Sequence, residues 1–119
     1  MKHAHIGIRV SDLELSKKFY GDILGGKLVS EKKMEGVNLA FYNFGSLQLE
    51  LIYKPKYNFV SNGIIEHIAF RVENFETEIE RLKQAEVKFL MKNPIDFGDC
   101  RIIFFEGPDG EHIEFMEEV

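Results

Sequence analysis

The chain has 119 residues, enough for one compact domain that buries about two thirds of the surface of its unfolded form, and its 45% hydrophobic, 13% aromatic and 29% charged content excludes disordered, collagenous and coiled-coil classes. Fifteen Lys and Arg against 20 Asp and Glu give a formal net charge of -5, which repels a phosphate backbone and excludes the basic stripe of a nucleic-acid binder. The single cysteine, Cys100, closes no internal disulfide, and no apolar run approaches the roughly 20 residues of a membrane span, so the expectation is a cytoplasmic protein with no membrane partner.

Residues 3–10 alternate, with His3, His5, Gly7 and Arg9 on one side and Ala4, Ile6, Ile8 and Val10 on the other, which predicts a strand with one apolar face. Ser11-Asp12 offer N-capping oxygens, and Leu13, Leu15, Phe19, Tyr20, Ile23 and Leu24 recur at helical spacing until Gly25-Gly26. Three strand-like runs follow, 27–31, 37–44 and 47–53, punctuated by Gly36 and Gly45-Ser46. The first half therefore reads as βαβββ. Residues 54–63, with Pro55, Asn58, Ser61, Asn62 and Gly63, have the composition of a linker.

Alternation resumes over 65–72, with His67, Ala69 and Arg71 opposite Ile68, Phe70 and Val72, and Asn74 is placed to cap a helix carrying Phe75, Ile79 and Leu82. The acidic run 76–86 is the solvated face of that helix. Strand-like 87–91, irregular 92–99, strand 100–106, the turn Gly107-Pro108-Asp109-Gly110 and strand 111–117 complete the chain.

The two halves superpose. His5-Ile-Gly-Ile-Arg-Val-Ser-Asp-Leu13 matches His67-Ile-Ala-Phe-Arg-Val-Glu-Asn-Phe75 at an offset of 62, and Gln48-Leu49-Glu50-Leu51 matches His112-Ile113-Glu114-Phe115 at an offset of 64. Each half thus supplies one His and one Glu on the polar side of its strands. Two imidazoles and two carboxylates suit a borderline divalent cation such as Zn, Ni, Co or Fe(II), with positions left open for substrate. His3 and His112 lie on the same faces and are rival ligands, but they fall outside the repeated pairs. Gly21-Asp-Ile-Leu-Gly-Gly26-Lys27 imitates a phosphate-binding loop, yet Leu28 stands where a magnesium-binding hydroxyl is needed, and the segment follows a helix instead of opening one.

His5 to Gly25 with its Phe19-Tyr20 pair, Glu66-His67-Ile-Ala-Phe-Arg-Val, and Gly107-Pro-Asp-Gly-Glu-His-Ile-Glu114 resemble the vicinal oxygen chelate superfamily, and within it the short bacterial glyoxalase I type. The resemblance covers essentially the whole chain. It implies an α+β fold of two tandem βαβββ modules forming a cupped mixed sheet, here a single domain over 1–119 with module 1 at about 1–53, a linker at about 54–63 and module 2 at about 64–119. It also implies one divalent metal ion per site (Ni, Co or Zn) on His5, Glu50, His67 and Glu114. Chains of this length in the family are usually homodimers in which each site takes two ligands from each copy.

The implied reaction converts the hemithioacetal of methylglyoxal and a thiol to a lactoyl thioester through an enediolate. Glu114 would be the general base, Glu50 a ligand and second base, and Arg9 would hold a substrate carboxylate. Where glutathione-using members commonly carry Asn, four residues after the first Glu ligand, this chain has Lys54. Lys88, Lys92 and Arg101 are either contacts for an anionic substrate or ordinary surface charges. Rival implications are a methylmalonyl-CoA epimerase-like isomerase and a metal-free drug-binding protein of the bleomycin-resistance kind. Fosfomycin-modifying thiol transferases, with no ligand at the place of Glu50, fit less well.

Overall fold

Side-chain alternation after His5 produces a short strand, β1 (Ile6–Arg9), in the computed structural model, which describes residues 4–57 and 65–118. Asp12 then caps a helix, accepting a hydrogen bond from the Leu15 N–H at 3.0 Å, and α1 (Leu13–Lys17) begins. The sequence predicts continuous helix to Leu24, but the coil widens to π-helical geometry over Lys18–Ile23, and the Leu24 N–H reaches the Phe19 carbonyl at 2.8 Å. Phe19 and Tyr20 are adjacent, both buried and packed edge to face, and the smaller rotation per residue of a widened coil brings two neighbouring aromatic rings toward one core. Gly25, at φ 82°, ends the segment in the left-handed conformation expected of a helix stop and not of a phosphate loop.

Three antiparallel strands follow: β2 (Lys27–Met34), β3 (Val37–Phe44) and β4 (Leu47–Tyr53). The order across the first sheet is β1-β4-β3-β2, with β1 and β4 parallel. Strand β2 forms one edge and is exposed along its length, presenting Leu28, Val29 and Met34 among Lys27, Glu31, Lys32 and Lys33. Lys17 of α1 pairs with Glu31, tying the helix to that edge. A single 3-10 turn, Pro55–Tyr57, falls at the start of the predicted linker; Asn58, Ser61, Asn62 and Gly63 lie outside the described residues, as does His3.

The second half repeats the plan with β5 (Ile68–Arg71), α2 (Phe75–Gln84), β6 (Ile95–Asp96), β7 (Cys100–Glu106) and β8 (His112–Glu118), in the order β5-β8-β7-β6 with β5 and β8 parallel. The strand predicted over 87–91 does not form. After Glu86, held at φ 60°, the backbone forms a single bridge to β7, Phe89–Phe105, and the two-residue β6 is the strand paired with that side of β7. Asn74 occupies the cap position of α2, but its side chain makes no capping hydrogen bond.

The chain divides into two compact units, Met1–Val60 and Ser61–Val119. Each has its own core: Val10, Phe19, Tyr20, Ala40, Tyr42, Leu49 and Leu51 in the first, and Phe75, Ile79, Leu82, Ile103, Phe105, Ile113 and Phe115 in the second. Leu49 and Leu51 face the first core, as Ile113 and Phe115 face the second, so alternation turns Glu50 and Glu114 to the opposite face of their sheets. That parity places the chemistry. Among the described residues no helix is long and apolar enough to cross a membrane.

Candidate metal centre

In the first unit His5 immediately precedes β1, and the parallel register sets Gly7 opposite Glu50. A Cβ at Gly7 would stand 3.1 Å from Glu50 Oε1 and 3.0 Å from Ile52 Cδ1, so the missing side chain leaves the carboxylate room to approach the imidazole. His5 Nε2 lies 3.5 Å from Glu50 Oε1. Phe41 is the partner of Glu50 across β3 and β4, and its ring meets the His5 ring edge to face with centroids 5.6 Å apart.

The second unit reproduces this arrangement. His67 precedes β5, Ala69 stands opposite Glu114 in the parallel register, and Phe104 is the partner of Glu114 across β7 and β8. His67 Nε2 lies 3.2 Å from Glu114 Oε1, and the Phe104 and His67 rings meet edge to face at 5.2 Å. The carboxylates are sheltered, with side chains 16% and 12% exposed for Glu50 and Glu114, while the imidazoles at 39% and 35% stay open to an ion arriving from solution. Phe41 and Phe104 escaped the sequence reading. Their signal was present in an offset of 63 between equivalent strands, but it acquires meaning only once the register against Glu50 and Glu114 is known.

The pairs differ in one respect. Glu66 Oε1 lies 2.8 Å from His67 Nδ1, and the hydrogen bond from His67 holds the Glu66 carboxyl below the usual carboxylate range. The equivalent position in the first unit is Ala4. His112 is half-buried on the same face of β8 as Glu114, opposite Glu106 of β7. Within each unit, among the described residues, no group of three or more His, Cys, Asp or Glu side chains gathers as a metal site. Each unit offers two donors.

The remaining sequence candidates divide by their partners. Arg9 is half-buried in β1, in register with Ile52 of β4. Its repeat mate Arg71 is exposed and bonded to Glu118 at 2.6 Å. Lys88 pairs with Glu106 at 3.4 Å. Arg101 is engaged by Glu76 and Glu117 and lies over the Phe75 ring at 5.0 Å, so it clasps α2 to β7 and β8 and is not free to hold an anionic substrate. Partial burial and the neighbouring Asp99 push the Cys100 thiol up, away from the thiolate that a nucleophile needs.

The donor chemistry fits a divalent ion. Bonds of about 2.1 Å to an imidazole nitrogen and a carboxylate oxygen leave adjacent donors on one ion roughly 3.0–3.4 Å apart; the His67–Glu114 separation of 3.2 Å falls in that range and the His5–Glu50 separation of 3.5 Å lies just above it. An ion is also the natural neutraliser of sheltered carboxylates aimed at histidines.

Comparison with known proteins agrees with this architecture. Residues 2–115 match the profile of the glyoxalase/bleomycin resistance protein/dioxygenase superfamily. The lactoylglutathione lyase of Salmonella typhimurium is 33% identical, over 98% of this chain and 93% of its own. The metallothiol transferase FosB of Staphylococcus epidermidis is 36% identical, over 92% of this chain and 77% of its own. Among solved structures, the trypanothione-dependent glyoxalase I of Leishmania major superposes with a TM-score of 0.85 at 28% identity, covering 99% of this chain and 87% of that one.

Proposed function

Since the chain belongs to the glyoxalase/bleomycin resistance protein/dioxygenase superfamily, we propose that it is a metal-dependent lyase of the glyoxalase I type, acting as a homodimer on the hemithioacetal of methylglyoxal and a thiol to give a lactoyl thioester. The observation that supports this reading is the duplicated pair, His5 with Glu50 and His67 with Glu114, each with imidazole Nε2 turned to a sheltered carboxylate oxygen. These four residues would hold one nickel, cobalt or zinc ion, His5 and Glu50 from one copy and His67 and Glu114 from the other, in a chain that forms a single domain over 1–119.

A bound divalent ion supplies electrostatic stabilisation for the charge that develops on two adjacent substrate oxygens. The protein's own groups move the proton. Glu114, the most sheltered of the four side chains, takes it from the carbon bearing the thiol and returns it to the neighbouring carbon. Glu50 faces His5 as the opposite ligand and second base. Both imidazoles offer Nε2 as the donor, buttressed by Phe41 and Phe104. Arg9 offers a guanidinium to a carboxylate on the thiol.

Metal analysis of the purified protein, followed by a panel of thiols with methylglyoxal, tests the assignment. The expected result is about one nickel, cobalt or zinc ion for each set of four ligands, lost in His5→Ala and Glu114→Gln together with lactoyl thioester formation. Metal-loaded protein that is silent with every thiol overturns the lyase. Protein without metal affinity overturns the centre itself.

Identity of 36% with a metallothiol transferase favours a second reading, in which the same pocket joins a thiol to an electrophile. Glu50 separates the two, because it faces His5 as a fourth donor and leaves fewer positions for a transferred group. Thiol addition to fosfomycin, with no lactoyl product from methylglyoxal, would move the assignment to the transferase.

A further inference from the structure

We propose that Glu66 is a positioning residue for the metal-binding form of His67: its carboxylate fixes the proton on Nδ1 and turns Nε2 toward Glu114. The inference deepens the proposed function and rests on His67 being a ligand. An ionised carboxylate only accepts hydrogen bonds, so the 2.8 Å contact between Glu66 Oε1 and His67 Nδ1 requires that Nδ1 carry the hydrogen. Nε2, 3.2 Å from Glu114 Oε1, is then the nitrogen whose lone pair is available to an ion. Phe104, edge to face with the same ring at 5.2 Å, limits its rotation, so the imidazole is held by a carboxylate on one edge and an aromatic ring beside it.

A carboxylate on the distal nitrogen of a ligand histidine also raises its basicity and removes the cost of choosing a tautomer when the ion binds. The first unit has no counterpart. Ala4 stands where the repeat places Glu66, so His5 has Glu50 and Phe41 but no carboxylate from the preceding residue. The two halves of the duplicated site are chemically unequal. The second unit is the preorganised half, and its pair captures the ion first.

Nitrogen-15 NMR of the His67 ring in metal-free protein, at a pH high enough for a neutral ring, reads the tautomer. Zinc titration against a chromophoric chelator reads the affinity. In the unsubstituted protein His67 should be mainly the Nδ1–H tautomer, and Glu66→Ala should lose that bias and bind zinc about 10–100-fold more weakly. Glu66→Gln, which keeps an acceptor oxygen, should retain the tautomer and most of the affinity, and Glu80→Ala, removing one charge from an exposed position on α2, should behave as unsubstituted protein. Unchanged tautomer and affinity in Glu66→Ala overturn the proposal. So does Glu66→Gln falling as far as Glu66→Ala with its tautomer intact, which marks a general charge effect. If the unsubstituted protein takes up no zinc, cobalt or nickel, the metal centre fails, while the tautomer in Glu66→Ala still decides whether Glu66 orients the ring.

Discussion

Phe41 and Phe104 show what a single side chain contributes beside each His-Glu pair. Each ring limits the rotation of an imidazole through an edge-to-face contact, an interaction of about 0.5–1.5 kcal/mol beyond area burial. Phe41→Leu and Phe104→Leu keep an apolar side chain but lose the ring, and each should weaken zinc binding by roughly 3–10-fold with little change in fold, measured by competition with a chelator. At this scale the sequence was legible where chemistry and parity coincide. His5, Glu50, His67 and Glu114 could be nominated from residue type, alternation and repetition, and the structure brings them into two pairs. Phe41, Phe104 and Glu66 were not legible, because the first two depend on cross-strand register and the third on a side-chain contact between neighbours that alternation places on opposite faces. The sequence left Arg101 between an anion contact and a surface charge for a related reason: its carboxylate partners come from α2 and β8, distant in sequence.

Helices and strands followed the apolar pattern closely and departed from it where packing imposed another geometry. The two cap positions make a direct comparison. Asp12→Ala removes the bond to the Leu15 N–H and should cost about 1 kcal/mol in urea unfolding. Asn74→Ala removes a side chain with no such bond and should change stability by less than about 0.5 kcal/mol. The π-helical turn at Lys18–Ile23 could not be read from spacing, since the period of the apolar residues there satisfies an ordinary helix equally well. The bond from the Leu24 N–H to the Phe19 carbonyl distinguishes the two, and it accompanies burial of both Phe19 and Tyr20. The strand expected over 87–91 has the right residues, but its backbone finds a partner in β7 at one bridge alone.

Duplication governs the molecule as a whole. Two units with the same strand order and the same parallel first pair were legible from the alternation within each half and from the matching offsets of 62 and 64 between halves, whereas the Phe beside each His and Glu was not. An ion bound at the proposed ligands should stabilise the folded protein as any native-state ligand does. Zinc at a hundredfold excess over its dissociation constant should add about 2.7 kcal/mol in thermal unfolding, and Glu114→Gln should abolish that gain.

The outer strand β2 leaves the first sheet with an open row of backbone groups, and its apolar Leu28, Val29 and Met34 are interrupted by Lys27, Glu31, Lys32 and Lys33. Such interleaving acts as a guard against cross-chain stacking, because another copy aligning its own rim there must bring ammonium groups together. Dense salt silences that guard, so concentrated, high-salt storage is the condition under which this protein should first turn cloudy.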